Sequence, residues 1–489
     1  MNSLKIHQKK IRRQIMLDFN ILKEEEMQEI VEGAYKILET IGVEVHNDKA
    51  LNLLKGLGCG VEETRVTIPR TVVAKALSTV PSYLKIYDRD GNLAMDLGGR
   101  NSYYGSGPTC PNFIDARTGE RRIAIKQDAA DASVVADALS GIDFVMSLCM
   151  IGDQTRGLAD LHEVDAMVRN STKPIATWAF NGENTQAIID MCAAVKGGLK
   201  ELQEKPFAIV YAEPTTPLTH CKEALDKVMI LAENKVPVIY SPGMLVGGTA
   251  PVTVAGAMTV GIAESLTGLV VHQTVCPGAP FISSCGGCVM DLKEMKTPYG
   301  APESVLLYGA SSEIYRYLGI PSFGLAGATD AKKIDAQAGY ESALEIFIND
   351  ACGGNLIHDI GFTDYGLTGS CHQMVMCDEI IGFVRRLRQG VSVNADFLAY
   401  DTVKEVGPGG NYLAATHTFE YFRKEIWSPQ ISERRSYEEW EADGKKDLEE
   451  VISEKIVDIL DNHKVAPLSD EVIAKLDAII AKSEKEIKA

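Results

Sequence analysis

Short runs of hydrophobic residues recur through the middle of the chain, and each is followed by a stretch with apolar residues at helical spacing. The starts of these runs are about 30 to 43 residues apart, the spacing of strand–helix units. Eight such units predict an α/β fold, a (β/α)8 TIM barrel, for which about 250 residues is typical. The runs are residues 102–107, 144–150, 174–180, 206–213, 237–243, 280–286, 321–326 and 355–361.

A doubly wound open sheet produces the same alternation with fewer strands. The chain has no G-x-G-x-x-G motif after an early strand, so the barrel is the preferred prediction. Residues 96–390 are therefore expected to form the barrel.

The flanking regions follow a different pattern. Residues 22–41 have apolar positions at helical spacing and end at Gly42, a typical helix C-cap, and a second helix is predicted over 69–80. A short hairpin is expected at 83–91, so that residues 1–95 form an N-terminal helical cap. Residues 391–489 are predicted to be a C-terminal helical extension, whose charged, amphipathic end packs on the barrel or on a second subunit.

Composition narrows the class of protein. The chain has 489 residues, of which 45 % are hydrophobic and 24 % charged, and its net charge is −18. These values exclude a disordered chain, a collagen-like repeat and a coiled coil, and the acidic balance argues against nucleic-acid binding. The basic residues 1–15 precede no apolar segment of a signal peptide, and Glu264 interrupts the apolar run 252–271, which favours a buried helix over a membrane span. Eleven cysteines without framework spacing indicate a reducing, cytoplasmic compartment.

Aromatic residues are concentrated at the predicted strand ends, where a barrel of this type places its chemistry. Ring faces attract methylated ammonium ions, so the set predicts a cation cage, with filling of the barrel core as the alternative. Glu213 shares strand parity with Tyr211 and is expected on the inner face or the rim, as a counter-charge or as a solvated residue. For His358, a structural and a substrate-orienting role both stay open. The expected cage residues are Tyr103, Trp178, Phe180, Tyr211 and Phe362.

Two further motifs have candidate chemistry. Cys285-Gly-Gly-Cys288 has a spacing that suits a metal or a disulfide, but His272 and Cys276 precede the strand and are expected near the opposite rim. A turn of small residues lining the pocket is therefore predicted rather than a metal site. The turn at 407–410 lacks the Lys-Ser/Thr of a phosphate loop and is expected to place Asn411 and His417 against the barrel mouth.

Four motifs resemble the trimethylamine methyltransferase family over residues 17–446: TIGVEV at 40–45, DARTGER at 115–121, DAKKIDAQAGY at 330–340, and GPGGNYL at 407–413 with His417. The resemblance implies a barrel enzyme that hands a methyl group to the cobalt of a separate corrinoid protein. Trimethylamine enzymes of this family have pyrrolysine in the pocket, whereas the corresponding region here, 323–330, contains only standard residues. The chain therefore resembles the non-pyrrolysine branch, whose members demethylate quaternary amines such as glycine betaine.

The chemistry of demethylation agrees with the assignment to this branch. A quaternary ammonium ion releases a neutral tertiary amine when its methyl is attacked, so no general acid is required. Glu213 or His358 would orient the substrate, and a betaine carboxylate would be bound by Arg156 or Asn181. We expect no tightly bound cofactor, a corrinoid protein and a small quaternary amine as partners, no nucleic acid or membrane, and a homo-oligomer. The alternatives are a zinc-thiolate methyltransferase centred on Cys285 and Cys288, and a non-catalytic methylammonium-binding protein.

Overall fold

The computed structural model describes residues 19–488, so the predicted basic segment 1–15 lies outside the described residues. Eight parallel strands form the centre of the molecule. In chain order, barrel strands 1 to 8 are Tyr103–Ser106, residues 144–145, Ile175–Trp178, Ala208–Ala212, Val238–Tyr240, Phe281–Ser283, Phe323–Leu325 and Leu356–Ile360.

These strands close into a ring. Barrel strands 3 to 6 pair in one parallel ladder, and strands 7, 8 and 1 pair in another. A parallel bridge from Ser283 to Ser322 joins strand 6 to strand 7. On the other side, bridges from Gly105 to Phe144 and from Val145 to Ile175 join strand 1 to strand 3 through strand 2. Each of the eight predicted runs contains one strand, and the predicted (β/α)8 barrel is confirmed.

Eight helices surround the ring. Barrel helices 1 to 8 are Lys126–Ala138, Ala159–Asn170, Gly182–Lys196, Lys222–Asn234, Val254–Val275, Pro302–Leu318, Ala336–Cys352 and Cys371–Arg388. Barrel helix 5 is the one helix of the described chain that is long and apolar enough to cross a membrane, and 72 % of its most apolar window is buried in the fold. A helix that is apolar all round is typical of a protein core, as predicted for residues 252–271.

The interior of the barrel is filled at its N-terminal end. Alternate residues of the strands face inward, and they form one cluster with side chains of a hairpin, Leu84–Tyr87 and Leu93–Leu97. Four hairpin residues enter this cluster, and three of them are fully buried. The predicted hairpin is therefore a plug, and the barrel opens only at the C-terminal ends of its strands. The four plug residues are Leu84, Ile86, Met95 and Leu97.

The N-terminal region before the plug is a small layer on the outside of the barrel. Its helices are Glu24–Lys36, Asp48–Gly56 and Arg70–Leu77, with a π-helical turn Ile37–Ile41, and its strands are Val43–Val45, Gly60–Glu62 and Arg65–Thr67. Gly42 ends the first helix with φ +78°, and a Cβ atom there would lie 2.6 Å from the Val66 carbonyl oxygen. The predicted C-cap is confirmed, and the second predicted helix is shorter than 69–80.

The C-terminal region contains the helices Ala395–Leu398, Tyr400–Val406, Thr416–Glu425, Tyr437–Ala442, Leu448–Asn462 and Asp470–Lys488. The last two pack on this chain's own barrel, with Ile456 buried in one and Leu476 in the other. The prediction that Asn411 and His417 meet the barrel mouth is wrong. His417 Nε2 instead lies 3.0 Å from the Asp396 carbonyl oxygen, because this segment folds back on itself.

The plug is expected to contribute to stability through burial alone. Replacing Leu97, which is fully buried, by Ala leaves a cavity between the hairpin and the strands and is expected to lower the free energy of unfolding by about 2–5 kcal/mol. The matched control is Leu93→Ala in the same strand, which is 54 % exposed and is expected to change stability by about 0.5 kcal/mol or less. Denaturant melts of both variants test this, and equal losses would contradict the assignment of the hairpin as a plug.

Candidate functional site

Loops after the strands build the walls of the open end. Met244–Val246 pairs with Gly287–Val289, and a four-stranded sheet flanks the opposite side. Because the plug fills the other end, substrates reach the interior through this mouth. The four strands of the flanking sheet are Asn112–Ile114, Arg121–Ile123, Phe362–Thr363 and Thr368–Ser370.

One wall of the mouth consists of two rings at the end of barrel strand 3. Trp178 and Phe180 contact each other edge to face, with ring centroids 4.5 Å apart and an interplanar angle of 77°. Phe180 is 36 % exposed and Trp178 is half-buried. The structure therefore brings these two predicted cage residues together at the rim.

Buried charged groups hold this wall from behind. The Trp178 indole N–H donates to Glu163 Oε2 at 2.8 Å, and the Phe180 backbone N–H donates to Asp160 Oδ2 at 2.9 Å. Between them, the Ala179 carbonyl oxygen accepts a hydrogen bond from Lys227 Nζ at 3.0 Å. Three successive residues are thus fixed by three buried ionisable side chains.

Glu163 is the most deeply placed of these groups. It is fully buried, and it also accepts hydrogen bonds from Ser147 Oγ at 2.8 Å and from the Ile151 N–H at 3.2 Å. Burial raises the pKa of Glu163 to about 8, and these hydrogen bonds oppose the rise. The sequence analysis missed Glu163 and Asp160, because a charged residue on a barrel helix is ordinarily solvated.

Tyr211 and Glu213 face the same side of barrel strand 4, as predicted. The Tyr211 hydroxyl donates to Glu213 Oε2 at 2.6 Å, and Glu213 is exposed at the rim. Burial and the adjacent Glu213 charge raise the pKa of Tyr211 well above its ordinary value, so the phenol keeps its proton. Its ring lies 5.9 Å from that of Phe323, deeper in the barrel.

His358 stacks on Phe323 in the interior, with ring centroids 4.0 Å apart. Its Nδ1 atom lies 2.6 Å from the Gly324 carbonyl oxygen, which assigns the proton to Nδ1 because a carbonyl only accepts. Burial lowers the pKa of His358 to about 4, so the ring is neutral near pH 7. A neutral histidine does not repel a cation.

Asp359 was not among the predicted site residues. Its backbone has φ +74° at an irregularity in barrel strand 8, and the side chain is 2 % exposed. Burial raises its pKa well above the ordinary value, which favours a neutral carboxyl group. Oδ1 lies 3.2 Å from His358 Nε2 and has no hydrogen-bond partner among the described residues. A left-handed backbone at an aspartate has no signature in the sequence.

Two further rings, Tyr299 and Tyr308, were not named by the sequence analysis, and Tyr299 lies beside the predicted Phe362. Phe362 lies edge to face with Tyr299 at 6.0 Å. Tyr308 of barrel helix 6 packs on Gly286, where a Cβ atom would lie 2.1 Å from the ring. Gly286, the first of the two glycines between the cysteines, is therefore needed for the close approach of this ring.

The two cysteines of that motif face different surroundings. Cys285 packs outward against Gly261 of barrel helix 5, whereas Cys288 lies near Tyr299. Burial raises the pKa of both thiols to about 12, which disfavours the thiolates that zinc requires. The described part of the chain contains no group of three or more His, Cys, Asp or Glu residues that could hold a metal.

Three predicted residues make no ring contact in the described structure. Tyr103 begins barrel strand 1 at the plugged end, where its hydroxyl accepts from the Asp96 N–H at 3.1 Å, so its predicted place at a C-terminal strand end is wrong. The predicted run 102–107 is close to the observed strand, so the error lies in taking a residue near the start of the run as its C-terminal end, which is at Ser106. Asn181 caps barrel helix 3, and Arg156 is exposed in a short turn before barrel helix 2.

Comparisons with known proteins agree with this architecture. The family model of trimethylamine methyltransferase (MTTB) matches residues 2–488. Glycine betaine methyltransferase of Desulfitobacterium hafniense is 30 % identical over 476 residues, covering 97 % of this chain and 99 % of the relative. Trimethylamine methyltransferase MttB of Methanosarcina thermophila is 31 % identical over 470 residues, covering 94 % and 97 %.

Among solved structures, monomethylamine methyltransferase (MtmB) of Methanosarcina barkeri aligns with a TM-score of 0.48 at 12 % identity, covering 94 % of this chain and 92 % of that chain. This similarity is too low to inform the site. The barrel topology, the four sequence motifs and a family match over nearly the whole length together show that the chain belongs to the trimethylamine methyltransferase family.

Proposed function

We propose that this protein transfers a methyl group from a quaternary amine, such as glycine betaine, to the cobalt(I) of a separate corrinoid protein. The observation that supports this most is the set of rings at one open barrel mouth, held by buried groups and backed by a neutral histidine. Each desolvated contact between a ring face and a methylated cation contributes about 0.5–2 kcal/mol. The proposed cage is Trp178, Phe180, Tyr211 and Phe362, and Phe323 lies below them, packed with the plug residues.

The chemistry needs few titratable groups. The carbon–nitrogen bond breaks, its electron pair stays on nitrogen, and the methyl carbon takes the electron pair of the acceptor, cobalt(I). The amine leaves neutral and takes up no proton in this step, so the residues have to bind, orient and exclude water. Glu213 at the rim would balance the substrate charge, and the neutral His358 and Asp359 would add no competing charge inside.

The segment that follows barrel strand 7 belongs to the region 323–330, where trimethylamine enzymes are expected to have pyrrolysine and this chain has only standard residues. The Ala328 N–H donates to Glu345 at 2.9 Å, and Thr329 Oγ1 donates to Glu341 at 2.5 Å. Both acids belong to barrel helix 7, and Glu345 is buried. This anchoring suits a wall that shapes the pocket and has no reactive group of its own.

A betaine also has a carboxylate that requires a donor. Arg156 is the better of the two predicted candidates, because it is exposed in the turn that leads to Asp160, the residue that holds Phe180. Asn181 accepts a hydrogen bond from the Asn184 N–H at 2.8 Å through its Oδ1 atom. Its amide N–H groups could donate to a carboxylate, but they are uncharged. The relative named glycine betaine methyltransferase supports this class of substrate.

The corrinoid protein is expected to cover the mouth, since the cobalt has to reach the methyl group. The rim offers exposed apolar side chains for such a contact, among them Met150, Val252, Leu292 and Met295. Exposed apolar residues around a concave site are typical of a docking surface. We therefore propose this rim as the surface that receives the partner.

The activity itself is tested with purified protein, a corrinoid protein reduced to cobalt(I), and either glycine betaine, carnitine, proline betaine or trimethylamine. We expect the methyl-cobalt(III) spectrum with at least one quaternary amine and none with trimethylamine, because loss of a methyl from the neutral amine would have to expel an amide anion, whereas a quaternary amine releases a neutral tertiary amine. Trp178→Ala is expected to lower kcat/KM by about three- to thirtyfold and Trp178→Phe by less. No spectrum with any quaternary amine would reject the proposal, and calorimetric binding without turnover would favour the non-catalytic binding protein.

Glu163 is expected to act on the cage through Trp178. Glu163→Ala leaves the indole N–H without its acceptor and is expected to raise KM about tenfold and to cost about 2–4 kcal/mol of stability. Glu163→Gln keeps an oxygen for the indole and is expected to restore KM to within about threefold of the wild type. The control is Asp378→Ala, a buried acid at the plugged end that binds the Gly141 N–H. It should lose stability and keep its KM, and equal KM changes in both alanine variants would contradict the role of Glu163.

The neutral state of His358 predicts a specific pH profile. A quaternary substrate has the same charge at every pH, so the loss of affinity that is due to His358 is expected only toward its pKa of about 4, where the imidazolium repels the substrate. Burial raises the pKa of Asp160 to about 6 and that of Glu163 to about 8, and both groups hold the cage wall, so any change of affinity near those pH values should persist in His358→Asn. Calorimetry on the wild type and on His358→Asn tests this, and a loss near pH 6.5 that the substitution abolishes would contradict it.

A further inference from the structure

Residues 391–426, called here the apolar arm, extend from the body of the protein. The chain enters the arm after barrel helix 8 and leaves it at Trp427. All of these residues lie within the described part of the chain, and none of them is buried. Leu413 is 89 % exposed and Phe419 is 76 % exposed. The exposed apolar residues of the arm are Val391, Val393, Leu398, Tyr400, Val403, Tyr412, Leu413, Phe419, Phe422 and Ile426.

The arm is nevertheless an ordered unit. The rings of Phe397 and Tyr421 meet edge to face at 5.0 Å, and Thr418 Oγ1 donates to the Tyr412 carbonyl oxygen at 2.7 Å. These contacts define the shape of the arm without giving it a core. An apolar surface of this extent is typical of an interaction site rather than of a surface in permanent contact with water.

The arm starts from the plugged end of the barrel. Arg385, in the last turn of barrel helix 8, pairs with Asp143 at 2.6 Å, directly before barrel strand 2. Arg388 pairs with Asp350 at 3.1 Å, close to the end of barrel helix 7. A corrinoid protein has to approach the opposite end, where the rings are. The position of the arm therefore disfavours the corrinoid protein as its occupant.

The apolar surface continues onto the barrel. Trp427, where the chain returns, lies edge to face with Phe383 at 5.8 Å. Phe383 is 52 % exposed and Leu387 is 43 % exposed on the same helix. The arm and this helix face thus form one surface, and a standard interface needs about 20–30 residues on each side. The arm alone has that size.

Charge also favours a second copy of the chain. The whole chain has a net charge of −18, so two copies repel each other over most of their surface. The arm contains five acidic and three basic residues, which gives a net charge of only −2. Two arms can therefore meet with little repulsion. The charged residues are Asp396, Asp401, Glu405, Glu420, Glu425, Lys404, Arg423 and Lys424.

We propose that the apolar arm is the interface through which two copies of this chain form a permanent dimer. A methyl carrier has to approach the open mouth at the opposite end of the barrel, and obligate homodimer interfaces are on average larger and more apolar than those of transient complexes. A second copy is made together with the first and is always present to cover the arm. The same surface serves both copies about a two-fold axis. This proposal is independent of which amine is the substrate.

Sedimentation equilibrium of the full chain tests the proposal. We expect the wild type to be a dimer or a multiple of one, and Leu413→Asp with Phe419→Asp to raise the dissociation constant of the arm-mediated pair at least tenfold. The matched control is Val252→Asp, because Val252 is 69 % exposed at the barrel mouth. It should assemble like the wild type. A monomeric wild type, or a double variant that associates like the wild type, would overturn the proposal.

A second measurement does not depend on the folding of the double variant. A photoreactive benzoylphenylalanine at position 419 is introduced into a mixture of unlabelled and nitrogen-15-labelled chains. Mass spectra of cross-linked peptides that pair labelled with unlabelled arms, or an arm with barrel helix 8 of the other copy, would support the dimer. Cross-links only within one chain, or only to an added corrinoid protein, would refute it.

Discussion

The pairing of parallel strands around a closed ring is the constraint from which the other features follow. Once eight strands close, alternate side chains are forced inside, and each inward residue lies either in the plugged half or in the open half. Leu356 and His358 illustrate this on one strand, since the first packs with the plug and the second belongs to the pocket. The position of a residue along its strand thus decides whether it contributes to stability or to binding.

The site consists of two layers that differ in their charge. The rings and neutral groups face the cavity, and the charged groups that hold them lie behind, where Glu163 and Lys227 bond to the wall that contains Trp178. Each buried charge would be costly without partners, and hydrogen bonds to an indole and to backbone groups offset that cost. The arrangement yields a rigid aromatic surface and places Glu163 and Asp160, whose pKa values burial raises, behind the rings.

Much of the architecture could be predicted from the sequence because it depends on local patterns. Strand–helix alternation located all eight units, and strand parity placed Tyr211 and Glu213 on one face. The error at Tyr103 did not come from the strand boundaries, which were predicted to within one residue, but from assigning a residue at the start of a four-residue strand to its C-terminal end. Asp359 was missed because it depends on an unusual backbone angle, which is set by tertiary context and has no sequence pattern.

The plugged hairpin also has a kinetic consequence. For an enzyme with the activity proposed here, a barrel closed at one end by Leu84 and Leu97 has a single open mouth, and the carrier protein must cover that mouth during the reaction. The small molecule therefore has to enter before its macromolecular co-substrate arrives, and the demethylated amine has to wait until the carrier departs. The order of substrate binding and product release would then be set by the shape of the barrel rather than by a conformational change.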